Sequence, residues 1–417
     1  MYKKGGTSRP VLAVVYDEGS ARPYEIVRAC RPLCDPVFIW DEANGVSSAT
    51  RNILHELAPV ISWQPSSAEQ SVATMRAHGV TNILTFSDHS MRLTAHLAEL
   101  LGVAYHSSDL VRVLTHKSVQ RQVLGDAGVT VPKFRRVRSA AELSAALDEV
   151  GLPAVVKPNA GHSSRNTFRI ASEAEYELLA AAALERECDV LVEEMLIGDP
   201  AKAGDGWGDY ASAESVVAGG AVLWSPITGK FPLESPFRET GGIYPSTLAA
   251  DLQEAVSAEA TAAIGALGIR DGVCHIEVKL TASGPRVIEV NGRLGGFMNA
   301  LVQRSTGFSL LDAAIRCALM VPLTVPDDHA APSCVAFVRT VQPPAWATRL
   351  EAMTGMRTVQ AMPGIARVEQ TRKAGSSVDW QAGTGEAVAI IQGAGGTHAD
   401  VQRLVAEAEA NLGMEFS

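Results

Sequence analysis

The sequence predicts a mixed protein, α/β at its N-terminal end and α+β beyond it. Three observations carry that reading. Short apolar runs alternate with helical patterns through the first hundred residues, the signature of a parallel sheet. A strand ending in Lys157 runs into a loop rich in Gly and Ser, flanked by two helix-opening capping boxes. Residues 274–280 and 286–291 alternate apolar and polar side chains about a turn, as a hairpin does.

Taken in order, Val11–Tyr16, 37–40 and 82–86 read as strands, and 24–34 and Met91–Leu101 as helices, the latter closed by Gly102. Residues 1–112 form one α/β domain on this reading. A helix over 115–127 carries Val119, Val123 and Ala127 on one side and stops at Gly128. Ser139 and Glu142 make a capping box for the helix through Leu143, Leu147 and Val150. Ser172 and Glu175 make a second, for a helix with Tyr176, Leu179, Ala180, Ala183 and Leu184 on one face. With strands at 154–157 and 190–193, residues 113–200 become a compact α+β lobe. Residues 198–209 are a loop, 211–217 and Ala221–Trp224 a hairpin, and 251–267 a helix ended by Gly268. That lobe covers 201–325 and includes a helix at 308–319. Residues 326–417 form a last region with strands near 334–338 and 387–391 and a helix from about 398. Its expected role is packing or homodimer contact.

The 417 residues are 47% hydrophobic and 20% charged, which excludes a disordered or coiled-coil chain. The net charge of −10 gives no general attraction to nucleic acid or anionic membrane, so any phosphate must be held by a few placed cations. No stretch approaches the roughly 18 apolar residues of a membrane span, and Val11–Tyr16 is too short for a signal-peptide core. The expectation is a cytoplasmic protein. Its six Cys are scattered without a C-x-x-C pair and read as buried reduced thiols.

In the 274–291 hairpin, strand alternation puts His275, Glu277 and Lys279 on one face and Cys274, Ile276, Val278 and Leu280 on the other. Val287, Glu289 and Asn291 share a face on the second strand, opposite Ile288 and Val290. Pairing about Ser283 sets Glu277 against Glu289 and His275 against Asn291. Two carboxylates about 5 Å apart repel by roughly 3 kcal/mol at an effective dielectric of 20. Either both face water, or Lys279 and Arg293 neutralise them, or a divalent cation does; Glu277, Glu289 and Asn291 are all oxygen donors, which suits Mg²⁺. Lys157 with the loop 159–168 offers a charge, hydroxyls and backbone N–H groups to phosphates, although no Walker A pattern is present.

Taken together, Lys117, Val156-Lys157-Pro158 before the Gly/Ser loop, Val192-Glu193-Glu194-Met195-Leu196 and Glu277…Glu289-Val290-Asn291-Gly292-Arg293 resemble the ATP-grasp superfamily. Within it, Thr85-Phe86-Ser87-Asp88, 274–279 and Arg293-Leu294-Gly295-Gly296 are similar to the L-amino acid ligases of the bacilysin type. The resemblance implies an ATP-grasp fold: an N-terminal domain, a central lid lobe and a C-terminal lobe, with ATP between the last two. It implies an ADP-forming ligase that joins a carboxylate to an amine through an acyl phosphate, with amino acids as substrates and a dipeptide or peptide-like product. Lys117, Lys157, Ser163 and Ser164 would contact phosphates. Glu193, Glu194 and Leu196 would line the adenine hinge, and Asp209 is the candidate for the ribose. Glu277, Glu289 and Asn291 would bind Mg²⁺, or Mn²⁺. Arg293, with Gly295 and Gly296, would stabilise the oxyanion. Glu214, His275, Arg293 and Gly296 would lie near the substrates, with His275 or Glu214 accepting the amine proton. The alternatives are an ATP-grasp ligase or carboxylase for other acids, and a non-catalytic nucleotide-binding regulator.

Overall fold

The computed structural model describes residues 9–43, 47–172, 174–175, 188–327 and 331–417. At the N-terminal end a parallel sheet has the order Val60–Trp63, Asp35–Asp41, Val11–Tyr16, Val80–Leu84. Its central strand is buried on both faces, as parallel sheets require. Phe134–Val137, Val190–Glu194, Ala154–Pro158 and Phe168–Ile170 form a separate antiparallel sheet. Helix Ala140–Val150 packs Leu143, Ala146 and Leu147 onto it, and Ser139 caps that helix by accepting from the Glu142 N–H. The helix face expected from Tyr176 to Leu184 lies outside the described residues. At its predicted cap, the Glu175 N–H donates to Ser172 Oγ at 3.3 Å.

The largest sheet has nine strands among the described residues. Its order is Gly284–Asn291, Gly272–Thr281, Tyr210–Ala218, Ile227–Lys230, Gly241–Tyr244, Val335–Val341, Ala389–Gly395, Ile365–Gln370, with Ala221–Trp224 also paired to Tyr210–Ala218. Strands from beyond residue 326 thus extend the sheet that carries the 274–291 hairpin. One face buries Ala211, Ala213, Cys274, Ile276 and Val278 against helix Ala250–Leu267. Alternation turns Tyr210, Ser212, Glu214 and Val216 the other way. Val216 and Val273 enter a second core shared with the N-terminal sheet. Of the residues before them, Tyr210 lines the cleft described below. No helix among the described residues is long and apolar enough to cross a membrane.

Three expectations change. The helix at 24–34 ends at Cys30, and the one at 308–319 starts at Leu310 behind its cap Ser309. The helix expected at 115–127 runs from Lys117 to Asp126, and a separate helix, Ser108–Thr115, ends just before it at His116. The buried face of the second is not that of Val119, Val123 and Ala127 but that of Ser118, Gln120, Arg121 and Leu124. Gly284–Asn291 is a sheet-edge strand, and the Gln120 amide both donates to Val290 O and accepts from its N–H, at 2.9 Å each. Satisfying an otherwise bare edge outweighs the apolar pattern.

Candidate active site

The Gly272–Thr281 and Gly284–Asn291 strands pair as expected at two points, His275 with Asn291 and Glu277 with Glu289. Beyond Glu277 the register slips by one, so Val278 faces Val287 and the turn tightens to Thr281 against Gly284. This bulge at Ile288 corrects the expected faces. Val287 joins Val290 in the core, while Ile288 turns to line the cleft beside Glu289.

The proximity cost of the two carboxylates is met by neither Lys279 nor Arg293. Lys279 Nζ binds Asp209 at 2.6 Å, and Arg293 grips Asp88 with two N–H groups, its Nε at 3.0 Å. Instead Lys117 Nζ reaches Glu289 at 2.5 Å, and His275 Nε2 lies 3.4 Å from Glu277. His275 Nδ1 is 2.7 Å from Glu214, which is fully buried beneath it. Burial alone would lower the His275 pKa, but Glu214 and Glu277 outweigh it and raise it to about 9. Burial would raise that of Glu277, yet His275, Lys230 and Lys117 bring it down to about 2. His275 is thus held between two carboxylates, Glu214 on one ring nitrogen and Glu277 on the other. A Cβ on Gly295 would stand 2.5 Å from His275 Nδ1, so the close packing of the imidazole requires glycine there.

A second charge cluster is centred on the Val190–Glu194 strand of the antiparallel sheet. Glu193 is buried and binds Arg121 Nε at 2.7 Å and Lys157 Nζ at 2.5 Å. Burial would raise its pKa, but the two cations bring it to about 2. Desolvation lowers that of Lys157 despite Glu193. Arg121, absent from the sequence reading, also donates to Ile288 O and so ties that sheet to the hairpin. Its only signal was a charge on a helix assumed to be amphipathic the other way.

These groups border two cavities. A cleft of about 960 Å³ is lined by Lys117, Lys157, Ser164, Glu193, Glu194, Leu196, Glu277, Ile288 and Glu289 among others. A second cavity, of about 1470 Å³, is bordered by Asp88, Ser163, Lys230, His275, Arg293, Gly296, Thr340, Thr371, Thr384 and Ile390 among others. His162, Ser164, Glu239, Glu277 and Glu289 belong to both walls. Four predicted residues stand behind the walls. Asp209 is engaged by Lys279, Glu214 lies under His275, Gly295 packs on His275, and Asn291 Nδ2 donates to His275 O at 3.4 Å.

Sequence reasoning missed Glu239 and Lys230, which meet at 3.3 Å, and every wall residue beyond 326. Glu239 sits in a Glu-Thr-Gly-Gly run whose only signal was its glycines. No group of three or more His, Cys, Asp or Glu side chains among the described residues forms a metal site. The hairpin offers two carboxylates and an amide oxygen. That hard oxygen set leaves coordination positions to phosphate oxygens, as Mg²⁺ sites commonly do.

Residues 123–300 match the family model described as D-ala D-ala ligase C-terminus. An uncharacterised protein of Sinorhizobium fredii is 29% identical over 301 residues, covering 70% of this chain and 59% of that one. Alanine–anticapsin ligase of Bacillus subtilis is 27% identical over 244 residues, covering 55% and 52%. The chain thus spans little more than half the length of these relatives. In fold it is similar to the L-amino acid ligase of Bacillus licheniformis, with a TM-score of 0.79, 21% identity, and 98% and 99% of the two chains covered.

Proposed function

We propose that the chain is a member of the ATP-grasp superfamily and, within it, an ATP-dependent carboxylate–amine ligase acting on amino acids. One observation carries the reading: the cleft and the second cavity share Glu277 and Glu289 as a common wall. A ligase that activates an acid with ATP needs such a junction, because the γ-phosphoryl group must pass between two bound molecules. Binary relatives named as ligases of amino acids support the substrate class.

In this reading the nucleotide occupies the cleft, with adenine at the hinge Glu193–Leu196 and phosphates under the loop 159–167. Glu277, Glu289 and Asn291 would hold Mg²⁺, which supplies charge neutralisation for phosphoryl transfer when bound. Lys117 and Lys157 add fixed positive charge in a partly dry site, where it acts more strongly than in water. The acid takes the second cavity, and its oxygen attacks the γ-phosphorus to give an acyl phosphate and ADP. A free amine then attacks the acyl carbon, phosphate leaves, and the amide forms. Arg293, held rigidly by Asp88, faces the developing oxyanion, with the Gly296 backbone beside it.

The test is a panel of acids and amines with ATP and Mg²⁺, read as phosphate release and product mass. Phosphate release that needs both an amino acid and an amine, with an amide of the summed mass less water, is expected. Tight nucleotide binding without amine-dependent release from any pair would overturn the proposal, and a carboxylated product would redirect it.

A further inference from the structure

The loop that covers the phosphate region is held from outside its own lobe. Its residues 163–166 dock on the segment Trp380–Glu386, more than two hundred residues away in sequence. The Asn166 N–H donates to Gln381 O at 2.9 Å, and the Thr384 N–H donates to Ser163 O at 2.8 Å. Gly383 between them has φ 82 and ψ −154. A Cβ there would stand 2.1 Å from Ser163 O and 2.7 Å from Arg165 N, so only glycine permits the approach. The Trp380 ring meets Phe168, in the strand that leaves the loop, edge to face at 6.3 Å.

The same segment reaches the second cavity. Thr384 Oγ1 accepts from the Glu239 N–H at 3.0 Å, and Gln342 Nε2 donates to both Glu239 O (2.9 Å) and Thr384 O (3.2 Å). Thr384 and Gly385 line that cavity together with Thr371, Ala387 and Ile390. One residue therefore holds the loop with its N–H, holds Glu239 with its hydroxyl, and borders the space opposite Glu277.

We propose that Gly383 and Thr384 are positioning residues that keep the loop 159–167 closed over the cleft and couple that closure to filling of the second cavity. The docking half stands on the geometry alone; the coupling half rests on the ligase reading. A molecule seated against Thr384 and Glu239 fixes the wall in the position from which the Thr384 N–H reaches Ser163. An empty cavity leaves that wall less restrained, so the docked loop opens more often than it does with the cavity filled. For an enzyme whose acyl phosphate is destroyed by water, closure conditional on the acid keeps ATP from being spent without product.

The docking half is tested by hydrogen exchange on the full chain without substrates. Residues 163–167 and 384 should exchange slowly, and Gly383→Ala should speed them by about tenfold or more, the scale of one or two lost net hydrogen bonds. Exchange in Val11–Tyr16 reports whether the variant is folded. Unchanged exchange of the loop in a folded Gly383→Ala protein overturns the proposal. The milder Thr384→Val keeps the N–H bond to Ser163 but removes the acceptor for Glu239. Under turnover it should raise phosphate released per amide formed by about tenfold, again the scale of one hydrogen bond, and Thr384→Ser should restore the wild-type ratio. An unaltered ratio overturns the coupling. Absence of any acid-dependent phosphate release from the wild type defeats the ligase reading instead, while the exchange result still decides the docking.

Discussion

The two cavities are built in opposite ways. The cleft draws mostly on a few short stretches, Lys117–Arg121, the strand and loop from Val155 to Thr167, the segment Glu193–Leu196 and the hairpin, with Pro132, Tyr210, Leu233, Phe237 and Glu239 added from elsewhere. The second cavity gathers Glu18–Ser20, Phe86–Asp88, Lys230, Glu239, Gly296–Met298, Thr340, Thr371, Thr384, Gly385, Ala387 and Ile390. Chemistry common to all nucleotide users can be concentrated in local motifs, because triphosphate is one shape. A pocket for a particular acid has no such fixed outline. It is assembled from loop ends that meet only when the sheet is complete.

That contrast predicts which changes silence the protein and which redirect it. The largest effect is expected from Glu289→Gln at the shared wall. It removes a carboxylate from the proposed cation site and the partner of Lys117, and phosphate release should fall by at least about a hundredfold, the scale of several kcal/mol of lost charge stabilisation. Near-normal release, measured with saturating Mg²⁺ in a folded protein, would break the assignment of that wall.

Next comes Arg293→Lys. A lysine keeps the charge but not the two-pronged grip on Asp88. Amide formation should slow by roughly 10²-fold if Arg293 faces the oxyanion, with the KM for ATP little changed. A raised KM for ATP with unchanged kcat would move Arg293 to the nucleotide side of the comparison.

Glu193 should matter for stability, and in a definite pH window. Its pKa is about 2 in the folded protein against an ordinary 4.5. A depressed carboxyl pKa stabilises the fold above the unfolded value, and that contribution is lost as the pH falls from about 4.5 through 2. Denaturant midpoints followed across this range should drop for the wild type and drop less steeply for Glu193→Gln. The variant should also be less stable at neutral pH, by about 3–5 kcal/mol, because Arg121 and Lys157 lose their buried partner. Parallel pH curves for the two proteins would remove Glu193 from the account.

The smallest effect is expected on the far wall of the second cavity. Ile390→Phe adds bulk there without touching the cleft. It should change the KM for the acid or the amine several-fold, on the scale of about 1 kcal/mol for an overfilled site, and leave the KM for ATP unaltered. A change confined to ATP would erase the distinction between the cavities.

The sequence was most readable where a side chain's neighbour lies on the same or the next strand. Opposition of Glu277 and Glu289 followed from alternation and one turn. Even there, alternation misassigned Val287 and Ile288, because a single extra residue in the edge strand reverses the faces beyond it. The helix at Lys117 failed for a different reason. Its buried Gln120 and Arg121 look like surface residues until the bare sheet edge and the Glu193 carboxylate that receive them are present. The region beyond 326 showed no chemistry because its contribution is largely backbone: the N–H of Thr384, the oxygen of Gln381, and the space left by Gly383.

What the sequence determined by itself is the chemistry available: a hairpin with two facing acids, a lysine ahead of a flexible polar loop, and strands arranged for a parallel sheet. Those depend on local spacing, and spacing is written in the chain. The tertiary structure decided which cation answers each acid, which arginine meets Asp88, and that the last ninety residues close both the loop and the second cavity. Apart from His275 with Glu277, such pairings join positions far apart in the chain, from Lys157 with Glu193 to Ser163 with Thr384. Their partners are selected by sheet order and burial, and no local pattern records either.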